Sequence, residues 1–311
     1  MSNLSIKSYA KVNLFLHVLG RRGDGYHDIY TLFCAVDLFD TLTLSSASSV
    51  YMVCNRTDVP TDERNTVLKV DKILRDEYGL KRQFKIELYK TVPVGAGLGG
   101  GSSNAAAYLT LVNEVAGIGL DKPEMCRILE RVGSDTCFFL HLPMALGEGR
   151  GEKITPIGNG YDFSVHLKQA DEMSSLSGLW ILIVSPNIFV STAAVYANKK
   201  VRITDRTLLP KIAALKDIDG IAAVMVNDLE SAVFDVCPVS EELCLALERA
   251  GSLKAMASGS GSSVFGVFRD RKARDTAYDI ISKQYPGYTA FKTSALCGCL
   301  TSKLAGSNCC L

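Results

Sequence analysis

Alternation of apolar and polar residues predicts β-strands in the N-terminal third of the chain. Residues 5–20 follow a period of two that places Lys11 and Asn13 on the same face of a strand. Residues 83–90 alternate in the same way, with Lys90 among the charged residues on the outer face. We therefore expect a strand with one solvated face, and we expect Lys90 to lie on that face.

Helical periodicity and stop signals predict most of the remaining elements. Residues 65–78 form an amphipathic segment that ends at Gly79, and an alanine-rich helix is predicted for residues 103–116 before Gly117. Further helices are predicted for residues 123–132, 208–216, 219–234, 240–250 and 275–284, and strands for residues 179–186 and within 253–268. Strands that group with helices, without regular β-α alternation, favour an α+β fold.

The length of 311 residues suggests about two domains, divided by a polar and irregular stretch. Residues 158–178 follow neither period and are interpreted as a linker or an insertion. We therefore predict an N-terminal domain over residues 1–160, a linker or insertion at 161–178 and a C-terminal domain over residues 179–311.

Composition and charge argue against several classes of protein. Hydrophobic residues make up 47% of the chain, charged residues 22%, and the net charge is +1. Nothing in these totals indicates binding to nucleic acid or to a membrane surface. No apolar run approaches the roughly 18–20 residues of a membrane span, and the first residues do not follow a signal-peptide pattern. We expect a cytoplasmic protein.

Ten cysteines are scattered along the chain without a C-x-x-C pair. Most of them lie in apolar runs, where a free cysteine behaves as a small hydrophobic residue. We therefore expect a reducing environment, no disulfide framework and no structural zinc.

The sequence VGAGLGGGSSNAAA at residues 94–107 carries the strongest chemical signal. A dinucleotide-binding loop is disfavoured because it follows a strand buried on both faces, whereas residues 83–90 alternate with charges. A P-loop needs Gly-Lys-Ser or Gly-Lys-Thr at its end. A turn without a ligand needs few glycines, and each costs about 0.5–1 kcal/mol in ordered backbone. The favoured interpretation is a cradle of backbone N–H groups, at a helix N-terminus, for phosphate.

This loop and several other segments resemble the GHMP kinases, in the same order along the chain. The matching segments are AKVNLFLHVLGRRGDGYHDIYTLF at residues 10–33, PVGAGLGGGSSNAA at 93–106, GSDTCFFL from 133, GEGRGE from 147, VSTAAVY from 190, NDLE from 227 and ASGSGSSVFGVF from 257. The resemblance implies the two-domain α+β GHMP kinase fold, with an active site in the cleft between the domains.

The pairing of DGYH at residues 24–27 with GLGGGSSNAA at 97–106 resembles one branch of this family. Members of that branch act on 4-diphosphocytidyl-2-C-methyl-D-erythritol, an intermediate of the non-mevalonate (MEP) isoprenoid pathway. The resemblance implies that ATP, with Mg²⁺, phosphorylates the 2-hydroxyl of this cytidine diphosphate-linked polyol. We expect a monomer or weak homodimer. Another small alcohol such as homoserine or mevalonate, and a non-catalytic nucleotide-binding regulator, remain as alternatives.

The residues of the phosphoryl transfer are implied by the same resemblance. Asp135 is the expected base for the acceptor hydroxyl, and Lys11 is the cation that pairs with it and favours the alkoxide. Without the resemblance, a helix cap is the simpler interpretation of Asp135. The metal ligands are not identified. The residues implied in ATP binding are Pro93, Gly95, Gly97, Leu98, Gly99, Gly100, Gly101, Ser102, Ser103, Asn104 and Asn65.

Aromatic residues are implied in recognition of the acceptor's base. Tyr26 is expected to stack on cytosine, and His27 is expected to hydrogen-bond the edge of the base. Tyr196 supplies the other aromatic face in this hypothesis, or packs in the core if the hypothesis fails.

Polar residues are implied around the rest of the acceptor. Thr192 is expected near its diphosphate or near the catalytic pair, and Asn13 is expected to reach the same ligand as its neighbour on the strand face. The second glycine loop is expected to close over the acceptor's phosphates, or alternatively to be a simple turn. Its implied binding residues are Gly259, Ser260 and Gly261.

The chain departs from the family pattern beside the expected base. Thr136 and Cys137 follow Asp135 where the family has Val-Pro. Because proline restricts the backbone at such a position, its absence predicts looser placement of Asp135.

Overall fold

The computed structural model describes residues 4–157, 179–210 and 217–296. These residues form two β-sheets with helices packed against them. The predicted linker at 158–178, most of the helix predicted at 208–216 and the four cysteines from Cys297 onward lie outside the described residues.

The described residues up to position 156 contain six strands, three α-helices and a 3-10 helix at Thr136–Leu140. The strands are β1 (Leu4–Arg21), β2 (His27–Ser46), β3 (Tyr51–Cys54), β4 (Phe84–Tyr89), β5 (Met144–Gly149) and β6 (Lys153–Pro156). The α-helices are α1 (Thr66–Tyr78), α2 (Gly100–Ala116) and α3 (Lys122–Glu130).

The described residues from 179 onward contain four strands, five α-helices and a 3-10 helix at Arg206–Leu208. The strands are β7 (Trp180–Ser185), β8 (Lys254–Ala257), β9 (Val264–Phe268) and β10 (Thr289–Ser294). The α-helices are α4 (Thr192–Tyr196), α5 (Ile218–Val224), α6 (Glu230–Val236), α7 (Val239–Arg249) and α8 (Arg271–Gln284).

The first sheet is organised by the length of β2. Strand β1 pairs antiparallel with β2 along nearly its whole length. On the other edge of β2, residues 41–46 pair with β4 and residues 29–34 pair with β5. Register shifts in β1, including one between Asn13 and Phe15, mark bulges that re-aim side chains of this strand.

The second sheet has the order β10-β7-β9-β8, and all its pairs are antiparallel. Its buried residues, among them Leu182, Val184 and Phe268, form a core with Leu247 of α7 and Ile281 of α8. Together the two sheets and their helices confirm the α+β class.

The single helix predicted for residues 219–234 is wrong in extent, because the chain leaves the helix between α5 and α6. Within this break the backbone N–H of Leu16 donates to Val226 O at 2.8 Å, and that of Asp228 donates to Leu16 O at 2.8 Å. These bonds join the segment to β1, and a continuous helix would leave the β1 groups without these partners.

Two of the cysteines correct the expectation of free thiols. Cys126 of α3 is bonded to Cys137 of the 3-10 helix, with their Cα atoms 5.0 Å apart. The sequence hides this pair because the two residues approach only when α3 packs against the 3-10 helix. Four other described cysteines are free: Cys34, Cys54, Cys237 and Cys244.

Candidate active site

The glycine loop between β4 and α2 needs its glycines for backbone shape and for close approach. Gly95, Gly97 and Gly99 have φ values of 61°, 76° and 68°, a region that residues with a side chain rarely adopt. A Cβ on Gly97 would lie 1.9 Å from the carbonyl oxygen of Ser258. Glycine at this position therefore lets the two glycine loops touch backbone to backbone.

Helix α2 begins at Gly100, three residues before the predicted start, and it points its N-terminus at the loop. Gly99 is the cap residue and makes no side-chain capping hydrogen bond. The first N–H groups of a helix lack partners within the helix and carry its positive dipole end. This end of α2 therefore fits an anion such as a phosphate.

A cavity of about 480 Å³ opens over the loop and the N-terminus of α2. Its size is in the range of ligand pockets. The residues predicted from the sequence that line it are Lys11, Asn13, Asn65, Pro93, Gly95, Gly97, Leu98, Gly99, Gly100, Gly101, Ser102, Asn104, Asp135, Thr192, Tyr196, Gly259 and Ser260.

Two predicted residues lie behind the wall of this cavity. The buried hydroxyl of Ser103 accepts a hydrogen bond from Ser8 Oγ at 2.9 Å, so it supports the loop from below. A Cβ on Gly261 would lie 2.6 Å from Val233, so this glycine accommodates α6. Neither is among the residues that line the cavity.

Asn65 lines the cavity, but its side chain is engaged by the protein. Its Oδ1 accepts from Val67 N at 2.9 Å and caps α1, and its Nδ2 donates to Pro60 O at 2.7 Å. Its predicted contact with the nucleotide stays a prediction.

Burial alternates along β4 as expected, but Lys90, which follows the strand, does not lie on its solvated face. Lys90 is only 6% exposed, and its Nζ is hydrogen-bonded to the buried carboxylate of Asp40. Asp40 also accepts from the amide of Asn104 at 2.9 Å. Burial lowers the pKa of Lys90, and the Asp40 charge opposes that shift. Because Nζ would lie 2.6 Å from a Cβ on Gly100, this ion pair sits directly under the start of α2.

Lys11 and Asp135 face each other across the cavity, with Nζ 4.0 Å from Oδ2. Nζ donates to Asn13 Oδ1 at 2.7 Å, and Asn13 Nδ2 donates to Thr31 Oγ1 at 2.8 Å. These hydrogen bonds orient the amine of Lys11, a residue that is only 5% exposed. Burial lowers the pKa of Lys11, and the negative charge of Asp135 opposes that shift.

The side chain of Asp135 does not cap the helix that follows it. Asp135 is the N-cap residue of the 3-10 helix Thr136–Leu140 but makes no side-chain capping bond. Its Oδ1 accepts from Ser102 Oγ at 2.9 Å. The capping interpretation is therefore wrong, and the carboxylate faces the glycine loop and Lys11.

A second cavity, of about 720 Å³, adjoins the first and holds the predicted aromatic residues. The rings of His27 and Tyr196 stack with centroids 5.2 Å apart. Tyr26 is 53% exposed, and the Arg150 guanidinium lies 4.9 Å from its ring centroid. Tyr196 thus lies against His27. The two cavities share Ser134, Arg150, Thr192 and Tyr196.

The protonation of His27 suits recognition of a base edge. Burial lowers the pKa of His27, and the nearby charge of Arg21 lowers it further. The imidazole is therefore neutral near pH 7, with one N–H donor and one acceptor nitrogen.

The second glycine loop is held beside Lys11 by Asn227. The Asn227 amide donates to the carbonyl oxygens of Ala257 at 3.0 Å and Gly259 at 2.8 Å. A Cβ on Gly259 would lie 3.3 Å from Lys11 Nζ. Ser260 Oγ lies 2.8 Å from Thr192 Oγ1. Ser260 of this loop and Thr192 of α4 therefore place two hydroxyls side by side in the first cavity, and Thr192 also lines the second.

Family models match both halves of the chain. The GHMP kinases N terminal domain matches residues 65–141, and the GHMP kinases C terminal domain matches residues 208–287. A relative from Geobacter metallireducens is 38% identical over 286 residues, which cover 90% of this chain and 95% of the relative. That relative is named 4-diphosphocytidyl-2-C-methyl-D-erythritol kinase. The chain belongs to the GHMP kinase family.

Solved structures agree with this assignment. A crystal structure of 4-(cytidine 5'-diphospho)-2C-methyl-D-erythritol kinase has a TM-score of 0.75 and 27% identity, covering 95% of this GHMP kinase and all of that chain. A homoserine kinase from Cytophaga hutchinsonii has a TM-score of 0.67 and 18% identity, covering 96% of both chains. The second likeness shows the shared fold alone. None of the helices in the described ranges has the length and apolar character of a membrane span.

The sequence missed two cations of this GHMP kinase. Lys90 stands two residues before Val92, and its charge groups it with the solvated residues, although a strict period of two places it on the face of Leu88. Arg150 lies in the matched segment GEGRGE, but no period or spacing connects it to the acceptor. Only the folded chain shows that it lines both cavities.

Proposed function

We propose that this GHMP kinase transfers the γ-phosphate of ATP to the 2-hydroxyl of 4-diphosphocytidyl-2-C-methyl-D-erythritol. The observation that carries this proposal is the pair of adjoining cavities, one with the glycine loop and one with aromatic walls. The Lys11–Asp135 pair lines the first cavity, which meets the second at Ser134, Arg150 and Tyr196. The names of the relatives at 33–38% identity support the same acceptor.

The donor side binds phosphate through backbone and through α2. Ser258 and Phe139 fill the space that side chains at Gly97 and Gly99 would need, so glycine lets the loop fold tightly. The backbone N–H groups of such a loop and of the following helix N-terminus suit phosphate oxygens. The hydroxyl of Ser102 and the carboxylate of Asp135 are oxygen donors of the kind that Mg²⁺ takes, so the residues present fit this ion. Magnesium bound with the nucleotide neutralises charge on the phosphates.

The transfer itself needs proton removal and charge stabilisation. Asp135 accepts the proton of the acceptor hydroxyl, since its carboxylate faces Lys11 and is not used as a cap. Lys11 stabilises the developing alkoxide and the spreading phosphate charge. Ser102 holds one carboxylate oxygen at 2.9 Å, which leaves Oδ2 for the substrate.

The acceptor is held at two points by this scheme. Tyr26 stacks on cytosine, and neutral His27 exchanges hydrogen bonds with the base edge. Arg150 binds the diphosphate, since its guanidinium lies at the junction of the cavities and is suited to bidentate contacts with phosphate. Thr192, which also lines both cavities, adds a hydroxyl beside that of Ser260.

The alternatives account for less of the site. Homoserine and mevalonate have no base, and an aromatic cavity of about 720 Å³ would then lack an occupant. A non-catalytic regulator would not need the oriented Lys11–Asp135 pair. Because residues of one chain line both cavities, we propose that a monomer or weak homodimer suffices. We place the reaction in the cytoplasm, where ATP is available.

Release of ADP with three acceptors tests this proposal. We expect turnover with 4-diphosphocytidyl-2-C-methyl-D-erythritol and none with homoserine or mevalonate. Asp135→Asn keeps the shape and removes the base, so kcat should fall by about 10²–10⁴ with little change in KM for ATP. Turnover only with another alcohol would overturn the acceptor, and an unchanged kcat in Asp135→Asn would overturn the base.

A further inference from the structure

The bonded pair Cys126–Cys137 encloses the segment that carries Asp135. Cys126 lies on α3 and Cys137 on the 3-10 helix, 11 positions apart. Their Cα separation of 5.0 Å is in the usual range for a disulfide. Asp135 stands two residues before Cys137, so one end of its loop is tied covalently to α3.

The backbone hydrogen bonds next to Asp135 are longer than those on either side of them. Thr136 N donates to Gly133 O at 3.3 Å, and Phe138 N donates to Asp135 O at 3.3 Å, whereas Gly133 N donates to Leu129 O at 3.0 Å and His141 N to Phe138 O at 2.8 Å. Ser102 Oγ holds the Asp135 side chain at 2.9 Å. A 3-10 helix has poorer hydrogen-bond geometry than an α-helix. Phe138 and Phe139, by contrast, are buried in the main core of the first sheet. Cleavage of the disulfide therefore leaves the 3-10 helix anchored but loosens the residues before it.

The pair has one accessible sulfur and a histidine beside it. Cys126 is partly exposed, whereas Cys137 is 3% exposed. Nε2 of His141 lies 3.7 Å from Sγ of Cys126. At this distance the imidazole can exchange a hydrogen bond with the Cys126 thiol when the pair is reduced.

We propose that Cys126–Cys137 is a reversible thiol–disulfide site that controls the placement of Asp135. Its reaction partner is a small dithiol or a dithiol protein, which reaches the sulfur of Cys126. The proposal rests on the proposed function, because Asp135 must be the base for its placement to change the rate. Intracellular disulfides are usually catalytic or redox-sensing, which favours a switch over a permanent crosslink.

The exchange step is balanced in atoms and electrons. A thiolate of the dithiol attacks Sγ of Cys126, forms a mixed disulfide and releases Cys137 as a thiolate, which takes one proton. The second thiol of the same dithiol then attacks the dithiol sulfur of that mixed disulfide. This step releases Cys126, which takes the other proton. The dithiol leaves as its disulfide, and two electrons have passed to the protein. An oxidised dithiol drives the reverse reaction.

The same side chains are also a donor set for a metal ion. The ligand atoms of Cys126, Cys137 and His141 lie within 4.8 Å of one another, and two thiolates with one imidazole suit zinc. Bonded sulfurs, however, supply no thiolate to a metal. The structure thus favours the disulfide, and zinc binding becomes an outcome of the test.

Peptide mapping tests whether the pair forms. Arg127 and Arg131 lie between the two cysteines, so trypsin places them on separate peptides that only a disulfide can join. The full chain is incubated with oxidised dithiothreitol or with dithiothreitol, alkylated and digested. We expect the joined peptides after oxidation and two alkylated peptides after reduction. Two alkylated peptides in both arms would overturn the proposal. It would also be overturned if the reduced chain bound one equivalent of added zinc and the bound zinc prevented formation of the disulfide.

Kinetics of the same samples test the coupling to Asp135. We expect reduction to lower kcat about three- to tenfold, with KM for ATP within about twofold, because only the base is misplaced. Cys126→Ser should show the lower kcat in both redox states. Cys54→Ser, which removes another partly exposed cysteine outside the pair, should respond as the wild type does.

The outcomes separate this proposal from the proposed function. A joined peptide without any difference in kcat would overturn the control of Asp135, whichever acceptor gives turnover. If the cytidyl acceptor gives no turnover, the assay uses the alcohol that does, and the peptide map still decides whether the switch exists.

Discussion

At the scale of single residues, the proposed function assigns binding of the base and chemistry at the hydroxyl to different side chains. Tyr26 is exposed and flanked by Arg150, whereas Lys11 is buried and oriented by Asn13. The aromatic ring and the amine line different cavities. Loss of one function should therefore leave the other largely intact.

Tyr26→Ala tests this separation. Loss of stacking on one base costs about 1–3 kcal/mol, so KM for the cytidyl acceptor should rise roughly 5- to 150-fold while KM for ATP stays nearly constant. Steady-state kinetics with each substrate varied in turn measures both constants. Tyr89→Ala removes another exposed tyrosine, on β4, and should change neither. Equal increases in both constants for Tyr26→Ala would contradict the stacking role.

Sequence reasoning found the residues that carry a pattern and missed those that tertiary contacts create. The period of β1 put Lys11 and Asn13 on one face, and both line the cavity. The burial of Lys90 depends on Asp40, 50 residues earlier on β2, and no local pattern reports such a partner. The Cys126–Cys137 bond likewise depends on how two short helices pack.

At the scale of elements, the glycine loop sets where α2 begins and how close the second loop can come. The predicted start at residue 103 assigned all the glycines to the loop, since glycine has low helix propensity. The helix instead starts at Gly100, where Lys90 and Val92 leave no room for a side chain and where Thr66 Oγ1 donates to Gly101 O at 2.8 Å. Propensity alone cannot report that override.

Gly97→Ala tests the backbone contact between the two loops. A Cβ would lie 1.9 Å from Ser258 O at a residue with φ of 76°, so the free energy of unfolding should fall by about 2–4 kcal/mol. Urea unfolding measures this change. Gly101→Ala is the matched control, since its nearest neighbour would be Thr66 Oγ1 at 3.7 Å. Equal stability of the two variants would show that the loop adapts.

At the scale of the whole molecule, the end of β1 is linked to two segments of the C-terminal part of the chain. The backbone N–H of Val18 donates to Asp228 Oδ2 at 2.9 Å, and Thr204 N donates to Val18 O at 2.8 Å. Thr204 Oγ1 also donates to Asp228 at 2.6 Å. A carboxylate only 2% exposed therefore links residues from both parts of the chain. The sequence showed NDLE as a family segment but gave no sign of this link.

Asp228→Asn tests the link. Burial raises the pKa of Asp228, but hydrogen bonds from His17, Thr204, Val18 and Arg202 outweigh it and lower that pKa below 3.8. The charged form therefore stabilises the fold above pH of about 3.8, and this contribution is lost as pH falls through the lower folded pKa. We expect the variant to lose about 2–4 kcal/mol at pH 7.

Urea unfolding at pH 7 and under acid conditions measures this loss, and the gap to wild type should narrow in acid. Asp219→Asn, which breaks an exposed ion pair with Arg269, is the control and should cost no more than about 1 kcal/mol. If the difference in unfolding free energy between variant and wild type were the same at both pH values, the charge of Asp228 would not be what stabilises this link.

The contact between Gly97 and Ser258 also limits what the protein can accept. With a carbonyl oxygen in the place of a side chain, the glycine loop and the second glycine loop cannot separate without breaking their packing. If the first loop holds the donor phosphates and Tyr196 lies beside the base, as we propose, this packing fixes the distance between the two. We then expect the site to select its substrate by molecular length as well as by chemistry, because a base and a hydroxyl joined by a tether of another length would not reach both ends together.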